Sequence, residues 1–162
     1  MEATNKRIFS VLVSNKPGVL AHIAGLFSSR GYNIDSLAVG ETEDEKLSRM
    51  TIVTHGDEGT LEQIRKQLSK LIDVIKLTDF ASADFIERDL MLLKVQAPPE
   101  KRGEILEVIN VFRGKVVDIA RKHLVVEIAG PERKIEAFIA LMRPHGIQEM
   151  TRTGRIALMR GD

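Results

Sequence analysis

The stretch IFSVLVSNKPGVLAHIAGLFSSRGYNIDSLAVG, residues 8–40, changes its periodicity twice, and those changes decide the fold. Ile8 to Val13 is apolar and rich in β-branched residues, as a strand requires. Asn15-Lys16-Pro17-Gly18 supplies turn residues. From Val19 to Arg30, the apolar residues Leu20, Ile23, Ala24 and Phe27 recur at i, i+3, i+4 and i+7, the spacing of one helix face. Gly31 stands where a helix ends in a left-handed residue, and Asn33 to Val39 reads as a second strand.

Working outward, Ser48 to Thr54 is a third strand and Gly56-Asp57-Glu58 a turn. Leu61, Ile64, Leu68 and Leu71 mark a second helix, and Val74 to Thr78 a fourth strand. The order is βαββαβ, and the second half echoes it. There, Asp89 to Gln96 is a strand, Pro98-Pro99 a break, and Ile105, Val108, Ile109 and Phe112 a helix closing at Gly114. Val116 to Ala120 and Leu124 to Ile128 are strands, and Ile135, Phe138, Ile139 and Met142 lie on a last helix. Gln148 to Thr151 closes the unit, with Arg155 to Met159 as an extra edge segment.

Two such units predict an α+β chain of two ferredoxin-like domains, each an antiparallel sheet covered by helices on one face. The boundaries fall at residues 1–79 and 89–162, with Phe80 to Arg88 (FASADFIER) as the linker. In the first strand, Ile8/Ser10/Leu12 and Phe9/Val11/Val13 are both mostly apolar sets. A strand apolar on both faces implies a second buried surface, here read as a dimer interface.

Composition narrows the function classes. A chain of 162 residues gives two domains near the lower limit for a self-sufficient core, so association is expected. The net charge of +1 shows no basic excess for nucleic acid, and one Tyr, no Trp and no aromatic pair on a predicted central strand argue against RNA stacking. There is no Cys, which removes disulfides and Cys-based metal or redox sites. The N-terminal MEATNKRIF lacks the apolar core of a signal peptide, and no apolar run approaches the roughly 20 residues of a membrane span. A cytoplasmic protein is expected.

The best candidate site is the loop Asn15-Lys16-Pro17-Gly18-Val19-Leu20. It opens the first helix, whose unpaired N–H groups and dipole favour a carboxylate guest. Gly18 permits close backbone approach, and Pro17 presets the turn. Spacing alone fits a plain strand-to-helix turn capped by Asn15 more simply. Asn33 is the second candidate, because its amide offers donors and an acceptor to an amino-acid headgroup; a solvated turn amide is the simpler alternative.

Enzymatic readings fare poorly. His22, His55, His123 and His145 lie in different elements without metal-site spacing, and no GxSxG, P-loop or GxGxxG occurs. Acyl-phosphate hydrolysis on this fold wants an Arg in the first loop, which has only Lys16. Glu41 to Lys46 (ETEDEK) reads as a mobile exposed loop.

Residues 8–40, followed by LSRMT (47–51) and Gly56-Asp57-Glu58, resemble the N-terminal ACT domain of the acetohydroxyacid synthase (acetolactate synthase) small subunit. NKPGVL is shared by many ACT domains; GYNIDSL followed by LSRMT is more specific. Arg88-Asp89-Leu90-Met91-Leu92 and Phe112-Arg113-Gly114 resemble that family's C-terminal domain, so the likeness spans nearly the whole chain.

The resemblance implies a regulatory subunit without a catalytic site. It would activate a large catalytic subunit that holds thiamine diphosphate, magnesium and FAD. It would also confer feedback inhibition in valine, leucine and isoleucine synthesis, with valine the usual branched-chain effector. The chain would form a homodimer through its ACT domains, with effector sites between them. Asn15, Gly18 and neighbours would come from one protomer, Asn33 and Ile34 from the other. The carboxylate would rest on amides near Gly18 to Leu20, with the isopropyl group against Val19, Leu20 and Ile34.

Overall fold

The computed structural model describes residues 4–161. In chain order they form β1 (Asn5–Ser14), α1 (Val19–Ser29), β2 (Ser36–Glu41), β3 (Leu47–Gly56), α2 (Glu58–Ser69) and β4 (Val74–Asp79). There follow β5 (Phe85–Gln96), α3 (Pro99–Val111), β6 (Lys115–Ile119), β7 (His123–Gly130), α4 (Glu132–Met142), β8 (Ile147–Arg152) and β9 (Ile156–Met159). A single 3-10 turn, Arg143–His145, separates α4 from β8. The βαββαβ order therefore occurs twice, as expected for two ferredoxin-like units.

In the first sheet the strand order is β2-β3-β1-β4; in the second it is β6-β7-β5-β8, with β9 also pairing β5. Each central pair is antiparallel, with Phe9 opposite Ile52 in one and Leu93 opposite Val126 in the other. The alternation of side chains fixes both registers, because a one-residue slip would turn every core residue outward.

By internal contacts the chain divides into two compact units. One comprises the residues up to Ile86 together with those from Arg155 onward; the other is Glu87–Gly154. This differs from the expected boundaries in two respects. The connection is shorter than residues 80–88, because β5 already starts at Phe85. The stretch from Arg155 belongs with the first unit: Arg155 N–H donates to Ser36 Oγ at 2.9 Å and Arg160 N–H to the Asp84 carbonyl at 2.9 Å.

In the first unit, Phe9, Val11 and Val13 of β1 and Met50 and Ile52 of β3 pack beneath Val19, Ile23 and Phe27 of α1 and Leu61, Ile64 and Leu68 of α2. The opposite face of β1 carries a second, smaller cluster. Ile8 and Val53 are covered there by Phe80 and Ala157, with Phe85 packed against them. The chain's own later segments thus meet part of the second apolar surface, so the two-sided β1 does not by itself demand a partner. Farther along that face Arg49 Nη1 donates to the buried Ser10 Oγ at 2.9 Å.

In the second unit, Met91, Leu93 and Val95 of β5 and Leu124, Val126 and Ile128 of β7 meet Ile105, Ile109, Ile135 and Phe138 of the helices. The helix α3 closes just before Gly114 on a left-handed residue, Arg113, at φ 56. Its N–H donates to the Asn110 carbonyl at 3.0 Å and that of Gly114 to Ile109 at 2.9 Å. Gly114 is constrained by closeness instead: an added Cβ would meet Ile109 Cγ2 at 3.2 Å and Val126 Cγ1 at 3.3 Å.

Candidate functional site

The loop Asn15–Gly18 leaves β1 and is exposed throughout. Gly18 is the residue preceding α1, and it adopts the left-handed conformation at φ 87. Its carbonyl accepts the first helical bond, from His22 N–H at 3.0 Å. A Cβ built on Gly18 meets nothing within 4 Å, so backbone conformation, not crowding, is what requires glycine here.

The end of α1 carries no side-chain cap and no acidic residue in its first turn. The other helices each supply an acid there: Glu58 in α2, Glu100 in α3 and Glu132 in α4. In α2, Asp57 Oδ1 also accepts from Thr60 N–H at 2.7 Å. The partial positive charge at the start of α1 is therefore the least compensated by the chain itself.

Asn15 is not the cap of α1. Its Nδ2 donates to the Glu45 carbonyl at 2.9 Å and to Glu41 Oε1 at 3.2 Å, tying the end of β1 to the β2–β3 hairpin. That hairpin is exposed, as expected of ETEDEK, but it is organised. Glu41 ends β2, Thr42 N–H donates to the Leu47 carbonyl at 3.0 Å, and Asp44 Oδ1 accepts from Lys46 N–H at 2.9 Å. Lys16 is exposed, and its N–H donates to the Ser14 carbonyl at 3.0 Å.

Val19 is buried, whereas Leu20 is 45% exposed. A cavity of about 210 Å³ opens beside the first turn of α1, lined by Val19, His22, Ile23 and residues Leu71 to Val74. Leu20 and Ile34 do not line it, so within one chain the expected trio Val19, Leu20 and Ile34 is not assembled. At its rim His22 Nδ1 lies 3.5 Å from Asp73 Oδ2.

Asn33 and Ile34 follow the other end of α1, where Gly31 at φ 69 turns the chain out of the helix. An 11-residue helix is about 16 Å long. The loop at Gly18 and the pair Asn33–Ile34 thus stand at opposite ends of α1, and a single small guest cannot touch both in one chain.

β2 starts at Ser36, not at Asn33, because the intervening residues bond to β3 and to one another. The buried Thr54 hydroxyl donates to the Asn33 carbonyl at 2.7 Å, and Asp35 N–H to the Val53 carbonyl at 2.8 Å. Asn33 Nδ2 donates to Asp35 Oδ1 at 2.8 Å. His55 Nδ1 lies 2.8 and 2.7 Å from the two Asp35 oxygens. The sequence carries no spacing rule that would have joined Asp35, Thr54 and His55 to Asn33; strand register does so. Among the described residues no group of three or more His, Cys, Asp or Glu side chains is placed to hold a metal ion, and no helix is long and apolar enough to cross a membrane.

The βαββαβ order of the first unit is that of an ACT-type fold. Residues 9–76 match the family described as AHAS small subunit-like ACT domain, and residues 88–161 match the family described as small subunit of acetolactate synthase. The chain belongs to the acetolactate synthase small-subunit family, a regulatory subunit with an N-terminal ACT domain. It is 54% identical over 157 residues, 97% of this chain and 98% of the relative, to an Archaeoglobus fulgidus protein named "Probable acetolactate synthase small subunit". It is 47% identical over 158 residues, 98% of this chain and 93% of the relative, to the acetolactate synthase small subunit of Mycolicibacterium smegmatis. The crystal structure of the acetolactate synthase small subunit from Thermotoga maritima superposes with a TM-score of 0.86 at 41% identity, covering 98% of this chain and 99% of that one.

Proposed function

We propose that this chain activates the large catalytic subunit of acetolactate synthase and makes it inhibitable by a branched-chain amino acid, valine first among them. The condensation chemistry, with its thiamine diphosphate, magnesium and FAD, belongs to that partner. The effector module is the ACT domain within residues 1–79. It works as a homodimer, in which the loop Asn15–Leu20 of one protomer faces Asn33 and Ile34 of the other.

One observation supports this reading: the start of α1, least compensated among the α-helices, and the Asn33 amide, hydrogen-bonded to Asp35, lie a helix length apart in one chain. Two copies related by a two-fold axis can bring one of each together, twice. The valine carboxylate then rests on the amides after Gly18, its ammonium meets the Asn33 side chain, and its isopropyl group contacts Leu20 and Ile34. A guest shared by two protomers binds one arrangement of the pair more tightly than another, and a differential of about 1–3 kcal/mol suffices for regulation.

The test is reconstitution. The purified chain is titrated into the catalytic subunit with and without valine, leucine or isoleucine. Stimulated turnover that valine suppresses is the expected result. Stimulation unaffected by any of the three would refute the effector assignment.

A further inference from the structure

We infer that Asp35 is the residue that sets the polarity of the Asn33 side chain, and that it thereby makes the site demand a donating ammonium group rather than a carbonyl. This rests on the effector site proposed above and adds the chemical class that site accepts.

An asparagine amide is close to symmetrical in shape, and a half-turn about its terminal torsion exchanges donor for acceptor. Its neighbours decide which end faces a guest. Asp35, when ionised, only accepts hydrogen bonds, so the Asn33 end turned toward it is the NH2, as the 2.8 Å contact from Nδ2 to Oδ1 records. The Asn33 Oδ1 is then directed away from Asp35, as an acceptor.

Asp35 is itself held. With both its oxygens within 2.8 Å of His55 Nδ1, that nitrogen carries the hydrogen, since the ionised carboxylate has none to offer. The backbone on either side is fixed by the Thr54 hydroxyl on the Asn33 carbonyl and by the Asp35 N–H on Val53. His55 and Asn33 thus both donate to the Asp35 carboxylate. An α-ammonium finds an acceptor in the Asn33 Oδ1. The 2-oxo acid with valine's carbon skeleton presents only acceptors there and meets like dipoles.

Calorimetry on the full chain tests this with two ligands, valine and 3-methyl-2-oxobutanoate. Wild type should bind valine at least about tenfold more tightly than the oxo acid, the value of one hydrogen bond to a charged group. Asp35→Ala should weaken valine about tenfold to a hundredfold and narrow the ratio between the ligands, and Asp35→Asn, whose amide oxygen can still accept from Asn33, should do so less. Asp35→Glu, which restores a carboxylate, should recover much of that ratio. Thermal melting confirms that each variant is folded, and the ligand ratio is a readout that general loosening would not selectively move. If Asn33→Ala loses valine binding while both Asp35→Ala and Asp35→Asn keep wild-type affinity and ratio, Asp35 has no such role and the site stands. If Asn33→Ala binds valine as wild type does, the site itself is misplaced and this inference falls with it.

Discussion

Arg152 grips Asp89 through two nitrogens, Nε at 2.8 Å and Nη2 at 2.7 Å, both on Oδ2. Asp89 is only 3% exposed, and its other oxygen accepts from the Thr153 hydroxyl at 3.3 Å. Arg152 reaches Glu136 as well, with Nη1 at 2.8 Å from Oε1. Burial by itself would lower the pKa of Arg152; the hydrogen bonds to Glu136 and Asp89 overcome this and raise it above its ordinary value. Removing the cation strands a buried carboxylate, which costs more than the pair gains. Arg152→Met is therefore expected to destabilise the fold by about 3–5 kcal/mol, and Asp89→Asn by less. Urea unfolding measures both, and an unchanged midpoint for Arg152→Met would contradict the assignment.

Gly18 separates two effects that one substitution would mix. Any side chain there is strained by roughly 1–2 kcal/mol in the left-handed region, with Asn the best tolerated. Gly18→Asp adds a negative charge facing the proposed carboxylate, whereas Gly18→Asn adds the same bulk without it. The reconstituted enzyme should lose valine inhibition with Gly18→Asp and retain more of it with Gly18→Asn. Equal loss in the two variants would show that strain or bulk, not charge, is responsible.

Helix α2 offers a pH prediction. Arg65 Nε donates to Glu62 Oε2 at 3.0 Å, and this hydrogen bond outweighs the opposing effect of burial, so the Glu62 carboxyl titrates below its ordinary value. A group depressed in the folded state stabilises it above the unfolded pKa, and that contribution disappears as pH falls through the folded one. Glu62→Gln should flatten the acid limb of the stability curve and leave the alkaline limb alone. Melting temperatures across the acid range decide it.

At the head of the same helix, Asp57→Ala removes the acceptor of Thr60 N–H and should cost about 1 kcal/mol. In the second unit, Phe138 is fully buried with its ring 5.5 Å from that of Phe112. Phe138→Ala should cost about 3–5 kcal/mol, since the cavity cannot close fully around the missing ring. Denaturation of the two variants gives both values, and a Phe138→Ala loss below that of Asp57→Ala would reverse the ranking.

Local pattern carried the element order, because the core positions of each strand and helix repeat at fixed intervals. Gly31 was legible as a left-handed helix end and lies at φ 69. What escaped depends on partners distant in sequence. The Asn15 side chain looks like a cap by position, but its acceptors lie 26 and 30 residues away on a hairpin. The second apolar face of β1 read as an interface because both sets of alternate residues are mostly apolar; at Ile8 it is Phe80 and Ala157, far along the chain, that cover it. The helix expected to close at Gly114 ends on a left-handed Arg113, whose N–H and that of Gly114 satisfy its last carbonyls. The loop before α1 was readable as a strand-to-helix turn, whereas the Asp35–His55 contact depends on residues distant in sequence coming together.

The place of Ala157 in the Ile8–Val53–Phe80 cluster bears on how the molecule is made. Ribosomes deliver the amino end first, so β1 and β3 emerge long before the residue that closes over them. Until the stretch from Arg155 leaves the exit tunnel, Ile8 and Val53 lack part of their roof, while every residue of the Glu87–Gly154 unit has already been made. The order of completion during translation is thus inverted with respect to the order of synthesis, and the unit that begins with β1 is finished last.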